Sequence, residues 1–191
     1  MYTPYGLTQF MNPEQEQGLV KQAQAGDKQA LAALYDALTP KLLGYLVNVT
    51  KNYSLAEDIL QSTWLKAIEA LPRFQYRSNS KFSAWIFAIA RNECKQHWRK
   101  SKTEAEFTEA QINSETDSHL ANDHTTNDNH LMVEQMLSKL SEDDRELIRL
   151  RYIADLSLND IANVLNINFV TVRVRLHRAL NRARAQITPN T

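Results

Sequence analysis

Between residues 103 and 130 the pattern that governs the rest of this chain stops. Ser, Thr, Asn, Asp, Glu and three histidines dominate the stretch, and large apolar side chains are few. Such a composition buries too little surface to offset the entropy of ordering the chain, so a flexible linker is expected there. On both sides of it, apolar residues recur at helical spacing, and only four glycines and five prolines punctuate all 191 residues. The chain is therefore expected to be all-α, with two small helical domains joined by a flexible acidic linker. An N-terminal tail at 1–11, a first domain at 12–102 and a second at 131–188 complete the plan. Domains of ~50–100 residues bury a small share of their surface, so each half is expected to be modestly stable alone. No internal repeat is visible.

Charge follows the same partition. The 22 basic and 22 acidic residues cancel, yet residues 73–102 hold eight basic residues and one acid, while 103–130 hold seven acids and no Lys or Arg. Asymmetry of this kind says more about partners than the sum does. One cysteine, Cys94, excludes an internal disulfide and fits a reducing compartment. There is no apolar run near the ~18 residues of a membrane span, and residues 1–11 lack the basic start and apolar stretch of a secretory signal. A cytoplasmic protein with no membrane insertion is expected.

Helix signals can be placed residue by residue. Asn12-Pro13 reads as a cap followed by a first-turn proline, and the helix should stop at Gly26, with Asp27 capping the next. Leu31, Leu34, Tyr35 and Leu38 form that helix's stripe, and Pro40 is expected to kink or divide it. Ser54 with Glu57 reads as a capping box opening a helix that ends at Leu71-Pro72. After a polar loop at 73–80, a long helix should run to Lys102. The second half starts with a helix at Leu131 that ends at Ser141. Ser141 then caps a helix whose apolar face is Leu147, Ile148 and Tyr152, and Ser157 with Asp160 caps a short third. Asn168 caps a fourth, running to about Ile187.

The third and fourth of these read as a helix-turn-helix, from the apolar pattern Leu158, Ile161, Ala162, Leu165, Ile167, Val172 and Leu176. Asn166 tolerates the left-handed conformation the turn needs. The last helix carries Arg173, Arg175, Arg178, Arg182 and Arg184, with His177 among them. Such a helix fits a DNA major groove, its first residues at base edges and its arginines on phosphates. A solvated basic helix on an ordinary bundle would show the same pattern.

In the first half, Phe74, Tyr76, Phe82, Trp85 and Trp98 interleave with Arg73, Arg77, Lys81, Arg91, Lys95, Arg99 and Lys100. Aromatic faces beside cations suit single-stranded DNA, since bases stack while phosphates are neutralised. Trp85 is equally compatible with a core position. Arg91, Lys95 and Arg99, four apart, share one helix face.

Two separated segments resemble one family, the extracytoplasmic-function (ECF) sigma factors of the sigma-70 family. Ala56-Glu57-Asp58-Ile59-Leu60-Gln61 is similar to the helix that binds the polymerase clamp, and the stretch from Phe82 to Asn92 resembles the part that melts and reads the minus-ten element. Thr171-Val172-Arg173-Val174-Arg175-Leu176-His177-Arg178-Ala179 is similar to the helix that reads the minus-thirty-five element. The resemblance implies a dissociable subunit that binds core RNA polymerase and promoter DNA, as duplex and as opened strand, without catalysis or cofactor. It places Glu57, Asp58, Gln61 and Trp64 at the polymerase. It places Phe74, Tyr76, Arg77, Asn79, Lys81, Trp85, Arg91, Asn92, Lys95 and Arg99 at the minus-ten strand. Asn168, Thr171, Arg173, Val174, Arg175, His177, Arg178 and Arg182 fall at the minus-thirty-five duplex. It also implies an anti-sigma factor as partner.

Three positions depart from the family pattern. Ser62 stands where an acid usually follows Gln61, Val174 where Ser is frequent, and Asn166 where Gly is common. The seven linker carboxylates would mimic RNA if the segment threads toward the RNA exit path; a soluble tether fits equally. His119, His124 and His130 match no zinc spacing, so no metal is expected. Cys94, four residues after Ala90, is expected to pack. A stand-alone helix-turn-helix regulator of duplex operators is the alternative; it leaves the basic aromatic half unexplained. A nuclease would need clustered metal-binding carboxylates, whereas the acids of the helical parts read as caps and docking residues.

Overall fold

The computed structural model describes residues 11–76, 81–109 and 140–185. Among them there are seven helices and no strand: α1 (Pro13–Gln24), α2 (Lys28–Thr50), α3 (Tyr53–Ala70), α4 (Phe82–Glu109), α5 (Glu142–Ile148), α6 (Leu158–Leu165) and α7 (Phe169–Ala185). A 3-10 turn, Leu71–Arg73, follows α3, and a π-helical turn, Arg149–Ile153, continues α5.

Local chemistry explains most of the boundaries. The Asn12 side chain accepts from the Glu14 and Gln15 amides, and Gln15 reaches back to close a capping box. Asp27 accepts from Gln29 and Ala30, and Gly26, at φ 95, makes the reversal between α1 and α2. Ser141 accepts from the Asp144 amide at 3.3 Å, and Ser157 forms a capping box with Asp160. Each such cap contributes about 1 kcal/mol. Asn166 takes the left-handed conformation, φ 53 and ψ 47, at the turn of the helix-turn-helix.

Of the two alternatives at Pro40, division is excluded, since α2 runs through it from Lys28 to Thr50. Three expectations are corrected. The cap of α3 is Asn52, not Ser54: Lys51 turns left-handed, and the Asn52 side chain accepts from the Leu55 amide at 3.0 Å. Helix α4 passes Lys102 and continues to Glu109, through a stretch containing the strong helix formers Glu104, Ala105 and Glu106. Tyr152 is exposed, not on an apolar face: five residues beyond Leu147 it lies about 140° round the helix, whereas Leu150, three residues beyond, is buried. The expected helix starting at Leu131 and most of the linker lie outside the described residues.

The first unit, α1–α4, is centred on Val20, Leu34, Leu42, Tyr45, Leu46, Trp64, Phe82, Ile86 and Phe87; the second, α5–α7, on Leu147, Leu150, Ile161 and Val172. These two cores are continuous. Helix α6 lies against α4, and the π-helical turn lies against α2. Gly44 lies at this contact, where a Cβ would stand 3.8 Å from Ile153 Cγ2, an ordinary packing distance.

Candidate nucleic-acid interface

Helix α3 presents Glu57, Asp58 and Gln61 to solvent. Trp64 is buried instead, its ring 4.9 Å from that of Tyr35, so it supports the helix from beneath and offers no contact surface. Asp58, Gln61, Leu65 and Ile68 recur at steps of three and four and thus share one face. Leu65 is 60% exposed and Ile68 43%. These two apolar residues extend the acidic-polar stripe, and the same spacing in the sequence was the signal for them.

The junction between α3 and α4 is built on stacked rings. Phe74 lies edge-on to Tyr76 and Phe82, at 5.1 and 5.4 Å between centroids, and 4.8 Å from Trp85. Phe82 is buried, while Phe74, Tyr76 and Trp85 are half-buried, each keeping part of its surface in solvent. Two polar side chains of α1 tie the junction down. Gln24 Nε2 donates to the carbonyls of Leu71 and Phe74 at 2.9 and 2.7 Å. Glu16 Oε1 accepts from the Tyr76 hydroxyl at 3.2 Å and from the Ser83 amide at 3.3 Å. Burial, reinforced by Glu16, raises the Tyr76 hydroxyl pKa well above its ordinary value. Glu16 and Gln24 sit one turn either side of buried Val20, and polar residues on that inward face were the only trace of this role in the sequence. Arg77 and Asn79 lie outside the described residues.

Along α4, Asn92, Lys95 and Arg99 are exposed. Lys81 and Arg91 are engaged elsewhere. Lys81 Nζ stands 3.1 Å from Asp160 of α6, and Arg91 Nε 3.3 Å from Glu146 of α5. The same Glu146 oxygen accepts from the Tyr45 hydroxyl at 2.7 Å. Lys41 and Asp155, at 3.7 Å, and Arg149 donating to Asn48 at 3.0 Å, add to the polar contact between the units. Burial raises the Glu146 carboxyl pKa, and its partners Tyr45, Arg91 and Arg149 offset only part of that. Cys94, also buried here, has its thiol pushed up to about 12, first by burial and then by Glu146. None of these inter-unit contacts was visible in the sequence.

In the second unit, α7 buries Val172, Leu176, Ala179 and Ala183 and exposes Arg173, Val174, Arg175, His177, Arg178 and Arg182; Thr171 is half-buried. Asn168 is occupied as the cap, accepting from the Val170 amide at 2.7 Å. Arg182 pairs with the buried carboxylate of Asp144, and Arg175 approaches Asp143 at 3.9 Å, so both hold α7 to α5. Arg178 lines the cleft between these helices. His177 Nε2 stands 3.1 Å from Asn181 Nδ2. Among the described residues no group of three or more His, Cys, Asp or Glu is placed to hold a metal, and no helix is long and apolar enough to cross a membrane.

Residues 34–104 match the model of sigma-70 region 2 and residues 130–182 that of sigma-70 region 4. The RNA polymerase sigma-H factor of Pseudomonas aeruginosa is 31% identical over 180 residues, spanning 89% of this chain and 92% of the relative. The chain belongs to the ECF sigma factors of the sigma-70 family. The ECF sigma factor SigW of Bacillus subtilis is 29% identical over 88% of this chain and 94% of its own length. The sigma factor RpoE, solved with the anti-sigma factor NepR from Bartonella quintana, superposes with a TM-score of 0.64 at 25% identity, covering 84% of this chain and 98% of that one. CnrH, solved with the cytosolic domain of CnrY, shares the fold, with a TM-score of 0.66 at 23% identity over 90% of this chain and 96% of its own. This sigma factor directs RNA polymerase to promoters.

Proposed function

We propose that this sigma factor reads a promoter with two heads whose chemistry differs, one for opened strand and one for duplex. The first head, at 12–102 and extended by the rest of α4, docks on the polymerase through the α3 face of Glu57, Asp58, Gln61, Leu65 and Ile68. Its aromatic junction, Phe74, Tyr76 and Trp85, stacks bases of the non-template minus-ten strand. Lys95 and Arg99 neutralise the adjoining phosphates, and Asn92 contacts the same element by hydrogen bonding. The second head, at 131–188, lays α7 in the minus-thirty-five major groove, with Arg173, Val174, His177 and Arg178 at base edges. Val174 suits a thymine methyl. The observation that carries this reading is the pairing, in one chain, of a half-exposed aromatic junction with a helix-turn-helix whose basic face is exposed.

Lys81 and Arg91 join the minus-ten contacts only after the units part, because in the packed form they face Asp160 and Glu146. Polymerase and DNA together supply what separates the heads. The function is positional and electrostatic, with no catalytic step, and its setting is the cytoplasm, where the polymerase works. An anti-sigma partner fits as well, as NepR does for RpoE.

The test is run-off transcription from fragmented genomic DNA with core polymerase and the purified chain, followed by start-site mapping. Transcripts that start downstream of one shared pair of elements are expected. Absence of any added transcript would refute the reading.

A further inference from the structure

We propose that Glu16 and Gln24 of α1 are positioning residues that hold the aromatic junction in its base-stacking geometry. The inference rests on the reading of that junction as the site for the opened strand. One oxygen, Glu16 Oε1, receives donors from both sides of residues 77–82, the Tyr76 hydroxyl before and the Ser83 amide after. One nitrogen, Gln24 Nε2, donates to the carbonyls of Leu71 and Phe74. Two side chains on one helix face thus fix the start and the end of the junction at four points.

Packing alone does not call for such residues. Glu16 is only 4% exposed, and an apolar residue there would continue the stripe of Val20 without desolvating a carboxyl. What the acid adds is direction: it accepts at the first turn of α4, where a negative partner is favoured by the helix dipole, and it orients the Tyr76 ring through its hydroxyl. Stacking a base on a loop that must first be ordered costs backbone conformational entropy. A junction already fixed avoids that cost when the strand arrives.

The experiment uses holoenzyme assembled with core polymerase and a forked fragment of a promoter mapped by run-off transcription, its non-template minus-ten strand single. Affinities for the fork and for core polymerase, and the melting temperature, are measured for each variant. Glu16→Ala and Gln24→Ala are expected to weaken fork binding by about tenfold, with polymerase affinity within about twofold, since docking uses the other face. Glu16→Gln, which keeps an acceptor oxygen, is expected to restore most of the loss. Tyr76→Phe removes only the hydroxyl and serves where Glu16→Ala does not fold. Combined with Glu16→Ala where that folds, it should add little further loss, because both break one interaction. Fork binding equal to wild type in Gln24→Ala and Tyr76→Phe would overturn the proposal, as would equal losses of fork and polymerase binding. Phe74→Ala separates the two levels: if it leaves fork affinity unchanged, the reading of the junction itself is wrong.

Discussion

The Tyr45 hydroxyl donates to Glu146 across the boundary between the two units, at 2.7 Å; Tyr45 is buried and the carboxylate is largely withdrawn from water. Arg91 meets the same carboxyl oxygen. Glu146→Ala leaves a buried hydroxyl and a half-buried guanidinium without this acceptor, a loss of about 1–3 kcal/mol of inter-unit contact. Small-angle scattering of the free chain is expected to show a larger radius of gyration for Glu146→Ala than for wild type. An unchanged radius would mean that the apolar contacts alone hold the units together.

Cys94 is the natural reporter of that boundary. Its thiol is buried and its pKa is pushed up to about 12, so alkylation by iodoacetamide at pH 8 should be slow in the wild type and faster in Glu146→Ala. The raised value also sets a sign. A thiol harder to ionise in the folded chain contributes stability below its ordinary value near pH ~8.5. That contribution is lost as pH rises through about 12. The Tyr45 hydroxyl, also raised, acts in the same direction. Urea midpoints are therefore expected to fall above about pH 9, and less steeply in Cys94→Ala.

These inter-unit pairs explain what was and was not legible in the sequence. Asn12, Asp27, Ser141, Ser157 and Asn166 declare themselves because a cap or a left-handed turn is a matter of a few neighbouring residues. The α3 cap misled for the same reason: Ser54 and Glu57 have the right spacing, and only the left-handed Lys51 makes Asn52 the acceptor. Tyr152 misled because it is one turn from Ile148, while the buried face runs through Leu147 and Leu150, from which it is turned away. Tyr45 with Glu146, and Lys81 with Asp160, are far apart in the chain, and no local pattern encodes their meeting. Glu16 and Gln24 left only the trace of polar residues in line with Val20, easily passed over because a polar residue on a short helix ordinarily faces water.

Asn166 supplies a local test of the helix-turn-helix. At φ 53 a side chain with a Cβ and no local hydrogen bond is strained, so Asn166→Ala should destabilise by about 1–2 kcal/mol, while Asn166→Gly should be neutral or stabilising. Thermal melts of the two variants check this.

Arginines of α7 should divide by role. Arg178→Ala is expected to cost about 1–3 kcal/mol on one promoter sequence and less on others, as a base contact does. Arg182→Ala removes the partner of buried Asp144 and should lower the melting temperature without changing base preference. Competition binding with point-mutated minus-thirty-five duplexes distinguishes them.

On the polymerase side, Asp58→Ala and Leu65→Ala should each weaken core binding while leaving the melting temperature close to wild type, because both side chains are exposed. Titration of labelled sigma factor with core polymerase measures this. Unchanged affinity in both would move the docking face away from α3.

The central claim is that neither head suffices and that the polymerase brings both to the promoter. Footprinting one mapped promoter with the chain alone, core polymerase alone and the two together tests it most directly. Protection of the minus-thirty-five duplex, with an opened minus-ten strand reactive to permanganate, is expected only when both are present. Sequence-specific protection of the duplex by the chain alone would contradict the account.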